Sequence, residues 1–246
     1  MIKQILGIIL LVFLTAPIAA ANVVYVNCNG PNDPGSGTFD DPFRQIQTGI
    51  DAAGNGDTVQ ISPGVYTGPG NYDLDPNGKS ITIRSINPED AEVVANTIID
   101  PDKNGRGFNL HSGEGSDCVI SGLTIRNAYT ESDGAGIYCN GSPIISNCVI
   151  KDNNADGYGG GGICTFVGNS IIINCVIKDN EANYYGGGIS CVFSEPNIIG
   201  CTIMNNTAGS EGGGWCALLG VVLAGSMSRC VEPEEGARSS RNETHC

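Results

Sequence analysis

The chain has 246 residues, with 12 Lys and Arg against 26 Asp and Glu for a formal net charge of −14, and it carries 36 glycines and 11 cysteines. So acidic a balance disfavours nucleic acid and anionic membrane surfaces as general partners, and fits a solvated or cation-binding exterior instead. Periodic Ile and Val exclude disorder despite the glycine content and point to a turn-rich β protein.

Residues 1–21 read as a signal peptide. Lys3 stands near the start, an apolar run extends from Ile5 to Ala20, and Ala19-Ala20-Ala21 offers a small-residue cleavage site. Thr15 and Pro17 interrupt the run, leaving it short of the ~20 residues a membrane span needs. The mature chain is therefore expected to be secreted, extracellular or at the cell surface, without a membrane span.

Residues 22–70 are expected to form an N-terminal cap and a first coil. Asp40-Asp41-Pro42 has the form of a helix start, with a capping carboxylate before a proline at the first helical position. Phe43, Ile46, Ile50 and Ala53 then share one face, and Gly54 ends the segment. Asp33, Asp40 and Asp41 crowd the Gly35-Ser36-Gly37 turn, which leaves calcium as a possible ligand; helix capping and loop polarity are the competing and favoured explanation. No other metal and no cofactor is expected, since no C-x-x-C pair occurs and His111 and His245 have no partner pattern.

Residues 71–216 carry a repeat. Gly134-Ala135-Gly136-Ile137, Gly160-Gly161-Gly162-Ile163, Gly186-Gly187-Gly188-Ile189 and Gly212-Gly213-Gly214-Trp215 recur every 26 residues, the mark of a solenoid. A second element accompanies them: Cys148 to Asn153, Cys175 to Asn180 and Cys201 to Asn206, with Leu123 to Asn127 as an earlier copy at spacings of 25, 27 and 26 residues. Cys148 and Ile150, Cys175 and Ile177, and Cys201 and Ile203 lie two apart, so each pair faces one side of a strand, the interior. A chain that returns to one strand position every 25–27 residues stacks its coils by parallel pairing, and the result is an all-β parallel β-helix with one capping helix. Asn153, Asn180 and Asn206 are expected to turn the chain in the left-handed conformation. The glycines serve the next corner.

Eleven cysteines in an exported chain would ordinarily signal disulfides. Cys148, Cys175 and Cys201 instead stack at the strand spacing of about 4.8 Å, wider than the ~3.8 Å between Cβ atoms that a disulfide prefers, and read as a ladder of buried thiols. Cys139 and Cys191 share another column with Thr165 between them, with no pairing assigned.

Outward on the same strands stand Arg126, Lys151 and Lys178, while Tyr158 and Tyr184 lie one period apart. This column and these rings are the candidate ligand-binding residues: cations for the carboxylates of an acidic polysaccharide, rings for sugar faces. Against that stands a solvated face neutralised by Asp152, Asp179 and Glu181, the reading that the weakness of exposed ion pairs favours.

Tyr25-Val26-Asn27, Gly35-Ser36-Gly37-Thr38, Asp41-Pro42-Phe43, Ile46-Gln47, Gly56-Asp57-Thr58-Val59 and Pro63-Gly64-Val65-Tyr66 together resemble the cap and first coil of secreted right-handed β-helix proteins related to pectate lyases, over roughly residues 23–110. The later Gly-Gly-Gly-Ile and Ile-x-x-Asn elements resemble the right-handed β-helix repeats of bacterial surface proteins, including the polymorphic outer-membrane type. The resemblance implies a right-handed coil and, for a lyase, acidic calcium ligands beside a Lys or Arg base. Asn154-Ala155-Asp156-Gly157-Tyr158 is similar to the Asp-Gly-aromatic segment that carries the base lysine in one group of pectate lyases, but Gly159 to Gly162 follow and no lysine is present. Asp156 is read as a turn residue, and no catalytic residue is assigned.

After Cys216 the repeat stops. Ala217 to Ala224 is apolar and Glu232 to Cys246 is charged and serine-rich, so 217–246 is an irregular tail, read either as a small capping element or, preferentially, as the interrupted end of a longer β-helix. The expected function is a non-catalytic exported scaffold that binds glycan or a cell-surface partner. A polysaccharide lyase or hydrolase acting on acidic polysaccharide, and a structural segment of a larger adhesin, are the alternatives.

Overall fold

The computed structural model describes residues 21–210, 212–218 and 230–231. The leader expected over 1–21, but for Ala21, and most of the tail expected over 217–246 lie outside them. One coil runs through Val119–Ser121, Thr124–Arg126, Tyr129–Thr130 and Ile137–Cys139 before the next begins at Ile144–Ser146. Stacking these segments produces four sheets, here numbered I to IV in that order, of seven, seven, four and five strands. Every pairing is parallel and in register, as in Ile125↔Ile150↔Ile177↔Ile203. The expected parallel solenoid is therefore observed.

Alternation along each strand decides what is inside. Ile125, Ile150 and Ile177 are fully buried and Ile203 is nearly so, and each buried Ile contributes about 1.5–3 kcal/mol by leaving water. Cys148, Cys175 and Cys201 are buried as free thiols, as the column spacing predicts. Cys139, Thr165 and Cys191 are aligned and buried in sheet IV. Burial pushes the Cys118 thiol up to about 12 and the Cys139 thiol up to about 11, because a thiolate would lose its hydration there.

The corner after sheet II differs from expectation. The left-handed residues are Asn127, Asp152, Asp179 and Asn205, at φ 55–56°, one place before the predicted asparagines. Turning at these short polar residues swings the next side chain inward, so Asn153 and Asn180 are buried and act as a ladder. Asn153 Nδ2 donates to Asn180 Oδ1 at 2.9 Å, and Asn180 Nδ2 donates to Asn206 Oδ1 at 2.9 Å. The same amides donate to the carbonyls of Ile125, Ile150 and Ile177, which satisfies polar groups that have no water.

Glycine is required at the corner entering sheet IV. Gly134, Gly160, Gly186 and Gly212 have φ between 56° and 75°. Two residues on, a Cβ at Gly162 would strike the carbonyl oxygen of Gly188 in the next coil. The backbones pass too closely for any side chain.

The cap helix α1 spans Ile46–Ala52 and buries Ile46 and Ile50, later than Asp40-Asp41-Pro42 predicts. Asp41 is engaged elsewhere: its carbonyl accepts from the backbone N–H groups of Ser36 and Gly37 and its carboxylate from Asn32 Nδ2. The N–H of Ile46 is satisfied by Asn71 Oδ1 at 2.9 Å, a partner far away in sequence. A second helix, α2, spans Ala91–Asn96 between sheets I and II, capped by Asp90 accepting from Glu92 and Val93; one helix was expected. At the other end, Trp215–Leu218 pairs with sheet IV and Cys230–Val231 with sheet II, so coil pairing continues beyond Cys216.

Ile150→Asp places a charge in the stacked core and should abolish cooperative unfolding of the coils, as read by circular dichroism melting. Asn180→Ala removes the acceptor of the buried Asn153 and a donor to the buried Ile150 carbonyl and to the half-buried Asn206, and should cost about 3 kcal/mol in urea titrations. For Cys118 and Cys139 the folded thiols ionise above the unfolded ones, so the unfolded chain sheds protons first. Stability should be level below about pH 9 and fall as pH rises towards about 12; Cys118→Ala should flatten that fall in Tm.

Candidate functional site

The predicted cations form the predicted column. Lys151 lies opposite Arg126 on one side and Lys178 on the other, with Met204 next. Each is neutralised: Arg126 Nε lies 2.9 Å from Asp100 Oδ2, Lys151 Nζ 3.2 Å from Asp152 Oδ2, and Lys178 Nζ 3.5 Å from Asp179 Oδ2. Glu181 is not a partner; it accepts from Asn154 Nδ2 instead. The Arg126 pair differs in kind, because Asp100 is nearly buried and also accepts from Asn127 Nδ2 and the Asp102 N–H. Arg126 anchors a corner of the coil.

Tyr158 and Tyr184 lie on the turn that leads from sheet III into sheet IV, so the two-residue strands of sheet III separate them from the cations. Their rings stack at 5.5 Å between centroids with 29° between planes, exposed by 69% and 44%. Tyr185 leans against Tyr184 at 6.4 Å. The turns are fixed from beneath: the Tyr185 N–H donates to the Tyr158 carbonyl at 2.8 Å, the Asn183 N–H to the Ala155 carbonyl at 2.9 Å, and the Gly159 N–H to Asp133 Oδ1 at 3.0 Å. Hydrophobic burial does not hold the pair, since both rings face solvent.

Carboxylates surround this turn. Asp156, the turn residue, accepts from the Tyr129 hydroxyl at 2.8 Å, and that hydrogen bond raises the Tyr129 pKa. Asp133 supports Gly159, and its carbonyl accepts from Arg106 Nε. Arg106 in turn lies 5.4 Å over the ring of Tyr138. Strict periodicity passes over this contact, because Gly105-Arg106-Gly107-Phe108 is a copy of the glycine corner that stands 29 residues before Gly134-Ala135-Gly136-Ile137 and so falls out of the 26-residue phase.

Two further groupings involve titratable residues. His111, predicted without a partner, lies 3.4 Å from Asp75 through Nδ1. Glu114 is buried and clamps its loop by accepting from the Gly78 and Ser112 N–H groups. Among the described residues, no three His, Cys, Asp or Glu side chains converge where a metal ion could sit, Asp33, Asp40 and Asp41 included. Among them also, no helix is long and apolar enough to cross a membrane.

The family described as "Right handed beta helix region" matches residues 82–224, more than half of the chain. The chain belongs to the right-handed β-helix family. Its right-handed coil is similar to that of pectate lyase Pel9A, with a TM-score of 0.51 at 18% identity over 77% of this chain and 49% of that one. It is also similar to a rhamnogalacturonan lyase, with a TM-score of 0.41 at 18% identity over 87% of this chain and 66% of that one. At 18% identity the likeness to the pectate lyase is one of fold alone, and the chain spans about half of that protein's length. No curated protein sequence matches this one.

Lys151→Ala and Lys178→Ala should each change stability by no more than about 0.5 kcal/mol. Arg126→Ala strips a nearly buried carboxylate of its cation and should cost about 2 kcal/mol. Equal losses in urea unfolding would show that the three pairs are alike.

Proposed function

We propose that this β-helix is an exported, non-catalytic scaffold that binds an extended glycan across the turn carrying Tyr158 and Tyr184. The observation that carries the reading is the stacked and exposed ring pair. Flat aromatic faces left in water have no stabilising role of their own, and rings that are apolar on the face and polar at the rim suit sugars. Successive coils repeat at about 4.8 Å, so such rings meet an extended polymer lying along the solenoid axis. The hydrogen-bonded turns beneath hold both rings in place before a ligand arrives, which lowers the ordering cost of binding.

The lyase alternative needs an unengaged Lys or Arg as base beside an acid-held cation. Arg126, Lys151 and Lys178 are each engaged by an Asp, and the Tyr158 turn brings carboxylates without a lysine. The apolar leader of residues 1–21 supports export, which places the scaffold where polysaccharides are met.

In affinity electrophoresis through polysaccharide-containing gels, the mature chain should be retarded, and Tyr158→Ala/Tyr184→Ala should weaken retardation at least tenfold, about 1.4 kcal/mol, with an unchanged melt. Incubation with polygalacturonate and calcium should produce no ultraviolet absorbance of unsaturated products. Calcium-dependent product would overturn the non-catalytic reading.

A further inference from the structure

Sheet IV carries a second row of rings that the repeat motif does not announce. Tyr138 stacks on Phe166 at 6.4 Å with 27° between planes, and Phe166 meets Phe193 edge-on at 6.2 Å. Three successive strands, Ile137–Cys139, Ile163–Gly168 and Ile189–Ser194, contribute one ring each, so the row runs along the axis.

Phe193 is the informative member. On its strand Cys191 is buried in the core and Val192 faces outward, so strict alternation would send Phe193 inward. Its backbone instead adopts φ +49° and the ring emerges, 55% exposed, beside Val167 at 47%. Ser194 then re-enters the core, where its hydroxyl donates to the Thr165 carbonyl at 2.9 Å. A left-handed conformation is unfavourable for a bulky residue, and here it moves an apolar ring out of the core into water. Neither change stabilises the fold, and strain of this kind gathers at functional positions.

We infer that Tyr138, Phe166 and Phe193 form a second sugar-binding platform, and that the polymer it takes is a neutral polysaccharide. The inference rests on the glycan reading above and names its substrate class. Arg106, the cation at the platform, is committed to the Tyr138 face and the Asp133 carbonyl. The cations of sheet II are paired, and the chain's net charge is −14. On this platform a polyuronate would meet that net negative charge with no cation but the engaged Arg106 to offset it, whereas uncharged sugars need only the ring faces.

The test uses the full mature chain in native gels containing a linear neutral β-glucan, a neutral galactan or polygalacturonate. Variants are Phe193→Gly, Phe166→Ala and Tyr158→Ala/Tyr184→Ala. Glycine takes φ +49° without strain, so Phe193→Gly should melt at or above the wild-type temperature while its retardation by a neutral polymer weakens roughly fivefold. Polygalacturonate should retard no variant. If Phe193→Gly and Phe166→Ala bind like wild type while the tyrosine variant does not, the second platform is wrong and the glycan reading stands. If polygalacturonate retards the wild type more than either neutral polymer, the substrate class is wrong. If no polymer retards the wild type, the glycan reading fails and takes this inference with it, and an apolar protein partner becomes the occupant to seek.

Discussion

A coil of this solenoid must return to the same place after 25–27 residues with every buried backbone group paired to its neighbour. The corner entering sheet IV shows how tight the condition is. The Gly160 N–H donates to the Gly186 carbonyl at 3.0 Å, the Gly162 N–H to Gly187 at 3.0 Å and the Ile163 N–H to Gly188 at 2.9 Å. Such close passage forbids side chains there and sets the register for all that follows. Stacked isoleucines, thiols and amides are its products, because once one position is in register the rest of the strand has no freedom to choose a face.

The same constraint governs how function is inferred. In a solenoid, like residues stack by default, so a column of cations is not in itself a site. Arg126, Lys151 and Lys178 line up because the repeat lines them up, and their local Asp partners neutralise the repulsion that stacking creates. Exposed rings are different. Tyr158, Tyr184 and Phe193 bury little and stabilise little, and Phe193 carries backbone strain as well. The distinction rests on free energy rather than on alignment.

How much the residues announced in advance follows from how local each interaction is. The Cys148–Ile150 phase, the thiol ladder and the lysine register were legible because all depend on period and alternation. The start of α1 was not: Asp40-Asp41-Pro42 has a helix-cap signature, but a turn claims Asp41, and the group that satisfies Ile46 is Asn71. The asparagine corner was placed one residue late, since Asp152 and Asp179 tolerate the left-handed region as Asn does and only the tertiary structure shows which residue turns and which points inward. Helix α2 had a readable Asp90 cap but interrupts the repeat, which masked it. The Tyr138–Phe166–Phe193 row escaped because Tyr138 pairs in register with Cys164; its rings meet diagonally, and Phe193 breaks the alternation on which pattern reading depends.

The asparagine ladder has a direction. Each amide-to-amide bond is donated towards the coil that follows in sequence, while the second N–H of the same amide donates back to an isoleucine carbonyl of the coil before. A coil continues the ladder only by presenting an amide oxygen at that place, and a strand that slips by one residue withdraws that oxygen and leaves a buried donor without its partner. The ladder thus proofreads assembly: it does little to specify that coils stack, and much to penalise stacking them out of phase.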